Sequence, residues 1–407
     1  MKGSISFSTI LTILLILIVT FTMRMTTNML MTSIPVLSKF TILASTFLTA
    51  VPVSMYSVTG MLANLFINGR IKSRNIGITI AISLVGLALM LPLYYFSSSI
   101  WDVIAISAVG GLFMGLVPPL LLTLISLSYD EIRDHVLGLY TSVLSLSLIA
   151  GTFFQAYVLS DIKVPIRSLF IYFFPVALLA GIVMFVLSAR LKIKESESRK
   201  KVSTVEIVRT IPVLFKNRGF SFGFFGNLTY SFPFIIILTY GSLLAYRYSS
   251  MPPDLFFYAL TAFFFTSMIT RFIIAFRPPK NRFRLMIISL LATILGFSFL
   301  IFSNNIIYFV LSMVFLGFPH GSIYPIATMS VSSSVPRDQI SIAYATFNII
   351  FNIIGLSLPP VFGAIAELTN LRTAMLFMVI PMGLIAYESI KNGGNLNLKS
   401  YVSRAKT

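Results

Sequence analysis

The 407-residue sequence has no cysteine, two histidines, one tryptophan and only twelve carboxylates. Without cysteine there is no disulfide, no thiolate metal site and no cysteine nucleophile. Two histidines, His135 and His320, are too few for a dense metal cluster, so neither a metal nor a cofactor is expected. Charged residues make up 10% of the chain, against about 25% in an ordinary soluble domain. The carboxylates fall in loops or near helix ends, at Asp102, Asp130, Glu131, Asp134, Asp161, Glu195, Glu197, Glu206, Asp254, Asp338, Glu367 and Glu388. None is placed at mid-membrane, which argues against a buried acid that carries protons or binds a cation.

What the chain does have is apolar surface. It is 57% hydrophobic, with a mean hydropathy of +0.93. No soluble interior hides that much, so the chain is a polytopic membrane protein. The apolar runs are near 20 residues long, which selects helices over a β-barrel. They cover 7–30, 41–67, 76–96, 101–127, 136–159 and 168–189, then 220–243, 255–276, 285–302, 306–331, 340–365 and 373–387. The first run resembles a signal peptide, but Met23, Arg24 and Met25 follow it instead of a small-x-small cleavage site. It reads as an uncleaved first span.

The net charge of +18 raises the question of nucleic acid. Its distribution answers otherwise. One set of alternate loops, with both tails, holds 24 basic residues, and the opposite set holds Lys39, Lys163, Arg167, Arg247 and Arg372. The positive-inside rule then puts both termini and the central segment in the cytoplasm, and no nucleic-acid partner is needed. The expected layout is an N-terminal six-helix bundle (1–189), a cytoplasmic basic linker (190–219), a C-terminal six-helix bundle (220–390) and a cytoplasmic tail (391–407). Within the linker, Val205, Val208, Ile211 and Phe215 form an apolar stripe at helical spacing. Either a surface-lying helix or a solvated connector fits it.

The halves echo one another. Gly111-x-x-x-Gly115 returns as Gly317-x-x-x-Gly321. Arg133-Asp134 returns as Arg337-Asp338, Tyr140 as Tyr344 and Gly151 as Gly355, all at an offset of 204. A duplicated bundle is the simplest source. Together with the cytoplasmic tails and the basic central loop, this pattern resembles the major facilitator superfamily across essentially the whole chain. That family's loop between spans 2 and 3 carries glycine, an aspartate and a basic cluster. Here the stretch holds Gly60, Asn64, Asn68, Arg70, Lys72 and Arg74, without the acid. The span-4 arginine and the span-5 glycine–proline signature of proton antiporters are also absent. The resemblance implies a central cavity between the halves and alternating access. Arg70, Arg74, Asp130, Arg133, Asp134, Arg337 and Asp338 are then expected to act in gating.

Arg24 is the sharpest single feature. A charge at a helix centre costs roughly 2.5–3.5 kcal/mol on insertion scales, so it normally faces a cavity. Asn28 shares its helical face, with Thr20 one turn before, giving a donor-rich stripe suited to an anion. The competing reading ends span 1 near Met23 and lets Arg24 snorkel to the interface. His320 and Tyr324 are four apart in span 10, and His320 is either a proton carrier or a packed neutral ring. Asn227 and Tyr230 share a side of span 7, and Asn348 and Asn352 lie in span 11. Such amides bind substrate or join helices, as does Gln155 in span 5. Arg271 is a further cation, at a cavity or within snorkelling reach of the inner face.

The substrate expected from these residues is a small anionic or polar organic solute, carried by secondary or facilitated transport with a proton as a candidate coupling ion. The chain would act as a monomer in the cell-membrane bilayer. The alternatives are efflux of neutral hydrophobic compounds, bound by the aromatic faces of spans 7 and 8, and, outside transport, a membrane-embedded enzyme or sensor.

Overall fold

A computed structural model describes residues 7–128, 133–190, 204–336 and 340–394. Thirteen α-helices run through them. They are α1 (Phe7–Val36), α2 (Thr46–Phe66), α3 (Ile76–Phe96), α4 (Ile100–Ser128), α5 (Arg133–Ala156), α6 (Ile166–Arg190) and α7 (Thr204–Lys216). Then come α8 (Arg218–Ser249), α9 (Phe256–Phe276), α10 (Arg282–Phe302), α11 (Ile306–Ser334), α12 (Ile340–Leu368) and α13 (Leu371–Gly394). All but α7 carry a segment long and apolar enough to cross a membrane, which makes 12 among the described residues. The fold is all-α and polytopic.

Polar residues set the helix starts. Ser99 and Asp102 form a reciprocal capping box at α4. The Asp102 carboxylate accepts from the Ser99 amide at 2.8 Å, and the Ser99 hydroxyl accepts from the Asp102 amide at 3.2 Å. The Asn217 side chain caps α8 through the amides of Gly219 and Phe220. Asn281 and Asn305 do the same for α10 and α11. Inside the helices, serine and threonine hydroxyls mostly donate to the carbonyl a turn earlier, which satisfies them in an apolar setting.

The chain divides into two compact units. The first holds residues 1–199 with 253–261, and the second holds 200–252 with 262–407. In the first, α3 packs on α6, α2 on α4, and α1 on α5 and α6. The repeated glycines explain one of these pairings. A Cβ built on Gly115 would lie 2.0 Å from the Gly60 carbonyl oxygen, and one on Gly111 would lie 2.2 Å from that of Tyr56. Only glycine lets the α2 and α4 backbones come so close. In the second unit, α8 packs on α11 and α13, and α10 on α11. There Gly317 and Gly321 press α11 onto α9, with Cβ positions 2.4 Å from the carbonyl oxygens of Phe263 and Ser267. The same spacing makes corresponding interfaces in each unit.

The echo is not uniform. Gly151 sits against Met25 of α1, whereas Gly355 has nothing within 4 Å of a built Cβ. Gly355 therefore serves no close approach within this fold. The central segment also resolves one open choice. Residues 204–216 are helical, but α7 docks on the second unit through a buried Leu214 and through Phe215. The Phe215 ring packs on Phe220, Phe224 and Phe225 at centroid distances of 5.4, 4.9 and 5.7 Å. The segment is neither a bare solvated connector nor wholly a surface-lying stripe.

Candidate functional site

α1 continues without a break to Val36 and passes into a π-helical stretch, Leu37–Thr41. Pro35 lies inside this helix instead of ending it. Arg24 therefore stands near the middle of a membrane-crossing segment, Thr9–Thr41, far from either end. The interfacial reading needs span 1 to end near Met23, whereas the helix runs on to Val36. The guanidinium is half-buried and lies within electrostatic range of the Tyr56 and Tyr140 hydroxyls, on α2 and α5. Asn28, one turn on, is 5% exposed, and its Nδ2 donors have no acceptor. Tyr56 is 4% exposed, and its hydroxyl is likewise unpartnered. Thr20 drops out of the expected donor stripe, since its hydroxyl donates to the Ile16 carbonyl at 2.8 Å.

Gln155 of α5 joins helices. Its Oε1 accepts from the Thr32 and Ser33 hydroxyls, both at 2.8 Å, and its Nε2 donates to the Gly151 carbonyl at 3.0 Å. With both ends of the amide satisfied, it ties α1 to α5.

In the second unit, His320 of α11 is 8% exposed and sits in an aromatic enclosure. Its ring centroid lies 5.4 Å from Tyr230, 4.6 Å from Phe234, 5.1 Å from Phe263 and 5.7 Å from Phe264. Its Nδ1 is 2.7 Å from the Ser267 hydroxyl of α9. Arg271, one turn beyond Ser267, is in electrostatic range of Tyr230 and Tyr324. The Tyr230 hydroxyl is buried with no hydrogen-bond partner. Asn227 is buried on the same helix, and its carbonyl accepts from Ser231 at 2.9 Å.

Tyr324 shares the face of His320 by spacing; it is 49% exposed and lies within electrostatic range of Arg271. Asn352 is exposed. Tyr344, the counterpart of Tyr140, donates to the Thr328 carbonyl at 2.9 Å and so joins α12 to α11. Arg70 and Arg74 are exposed, and in their loop the Asn68 amide donates to Asn64 at 2.9 Å. Asp130, Arg337 and Asp338, and the side chains of Arg133, Asp134 and Asn348, lie outside the described residues.

Phe234, Phe263 and Phe264 belong to the aromatic faces of spans 7 and 8, but Tyr56 and Ser267 were missed in the sequence. Each of these two stands in an apolar stretch with no motif around it. The one available signal was Gly110-Gly111, which marks where another helix must come close.

Two bundles of six membrane-crossing helices, each closed by a small-residue seam, define a carrier-type membrane fold. The family profile of the Major Facilitator Superfamily matches residues 16–283 and 254–387, and the chain belongs to that family. Solved structures share the fold. A single-site mutant of the nucleoside transporter NupG superimposes with a TM-score of 0.73 at 15% identity, covering 94% of this chain and 99% of that one. A bacterial homologue of the human lysosomal transporter Spinster, inward-facing and occupied, gives 0.70 at 12% identity, covering 97% and 98%. A single-site mutant of the peptide transporter POT, in complex with sulfate, gives 0.71 at 11% identity, covering 96% and 94%. No curated protein matches the sequence.

Proposed function

We propose that this protein is a secondary or facilitative transporter of a small organic anion, working by alternating access. The observation that carries the reading is Arg24. It is a guanidinium near the middle of a membrane-crossing helix, beside buried donors with no acceptor and far in sequence from any carboxylate. A cation held there at an insertion cost of roughly 2.5–3.5 kcal/mol is most simply retained for an anion that arrives from outside. Both termini face the cytoplasm on the distribution of basic residues, the chain works as a monomer in the cell membrane, and a proton at His320 is the candidate coupling ion. The gating role of the basic and acidic loop residues, Arg70 and Arg74 among them, belongs to the same reading.

Uptake of labelled organic anions into proteoliposomes tests it. Arg24→Ala should lower uptake by roughly 100-fold or more, and Arg24→Lys should retain part of it because the charge survives without the fork. Undiminished uptake by Arg24→Ala would remove Arg24 from the site.

The aromatic enclosure of His320 favours a second reading, efflux of neutral hydrophobic compounds. That reading predicts transport indifferent to Arg24 and sensitive to Phe234→Ala. Solute counterflow separates either carrier reading from an enzyme or a sensor, since only a carrier exchanges solute across a sealed bilayer.

A further inference from the structure

Resting on the anion-transport reading, the geometry points to a narrower substrate class: Arg24, Asn28 and Tyr56 form a cradle for a single carboxylate group. Three observations converge within the first unit.

The first concerns charge. Among the described residues of the unit's membrane-crossing segments, Arg24 is the one charged side chain away from a segment end; Lys39, Asp102, Asp161 and Arg167 all stand at ends. One half-buried positive charge balances one negative charge. A phosphate group carries about −1.5 to −2 at neutral pH. It would leave excess negative charge in a low-dielectric site where the described residues of this unit's membrane-crossing segments offer no second cation away from a segment end.

The second concerns hydrogen bonding. Asn28 Nδ2 and the Tyr56 hydroxyl are buried donors with no hydrogen-bond partner among the described residues. Buried polar atoms are normally satisfied, so two of them beside a guanidinium mark a place for oxygen acceptors. A carboxylate offers about four lone-pair sites. It can take a bidentate arginine contact and still accept from an amide and a phenol.

The third concerns how Tyr56 is held there. A Cβ on Gly111 would strike the Tyr56 carbonyl oxygen at 2.2 Å, and one on Gly110 would lie 3.6 Å from the Tyr56 ring. Gly111 of α4 thus brings in the α2 turn that carries Tyr56, while a Cβ on Gly110 would make only ordinary contact with its ring. The small-residue seam that joins the helices also brings Tyr56 within electrostatic range of Arg24. Tyr56 is then a binding residue that orients the carboxylate, and the remainder of the substrate is uncharged.

The test is ligand-dependent thermal stabilisation of the purified full-length protein, with benzoate and lactate as monocarboxylates, succinate, inorganic phosphate, and uridine as a neutral solute. Benzoate or lactate should bind most tightly. Tyr56→Phe, a nearly isosteric change, should weaken that binding about tenfold or more, Asn28→Ala should also weaken it, and Arg24→Ala should abolish it. Tighter binding of phosphate or succinate than of either monocarboxylate overturns the inference. So does unaltered binding in Tyr56→Phe, or the lack of any monocarboxylate response in folded wild-type protein. If phosphate or succinate binds and depends on Arg24, the anion-transport reading survives while the carboxylate cradle fails. Uridine binding that is equal in wild type and Arg24→Ala would bring down the anion-transport reading itself.

Discussion

The hydroxyl of Ser267 lies 2.7 Å from Nδ1 of His320, and this bond joins α9 to α11 inside a ring of aromatic side chains. It fixes the imidazole within an apolar enclosure that includes the Tyr230 ring. An inward proton gradient should stimulate uptake by the wild type and should leave His320→Gln unaffected. Equal stimulation of both would place the proton elsewhere. Ser267→Ala should cost about 1 kcal/mol, the usual net worth of one buried hydrogen bond, read as a lowered Tm in detergent.

Glycines that look alike in the sequence should behave differently. Gly115→Val and Gly321→Val place atoms where a facing backbone carbonyl already sits. Each should reduce the yield of folded, monodisperse protein severely. Gly355→Ala meets open space and should be neutral or up to about 1 kcal/mol stabilising, from helix propensity alone. Size-exclusion profiles and thermal unfolding distinguish these outcomes.

Gln155 should prove structural. Gln155→Ala removes the shared acceptor of Thr32 and Ser33 and opens a gap between α1 and α5. A loss of about 1–2 kcal/mol is expected, with substrate KM changed little in the protein that folds. A large rise in KM at unchanged Tm would instead make Gln155 a ligand.

Phe215 anchors α7 to the second unit through three neighbouring rings. Phe215→Ala should release that helix, at a cost of about 2–3 kcal/mol for a partly buried aromatic. Limited proteolysis should then cleave within 204–216 at least several times faster than in the wild type. Unchanged cleavage would mean that the helix is held by other contacts.

The sequence by itself determined the class of fold. Twelve apolar runs, a one-sided distribution of basic residues and a duplicated small-residue spacing were enough, because lipid forces every crossing segment to satisfy its own backbone. It also exposed Arg24, since a charge inside an apolar run stands out without any structure. What it could not show is which way each helix turns. In water, an apolar stripe marks the buried face of a helix. In a bilayer the outer face is apolar too, so Phe234 and Phe263, which enclose His320, read no differently from exposed Phe272 and Phe276. The partners of polar side chains depend on that rotation. Only the tertiary structure decided that Gln155 joins α1 to α5, that His320 meets Ser267, and that the α2–α4 seam brings Tyr56 within electrostatic range of Arg24.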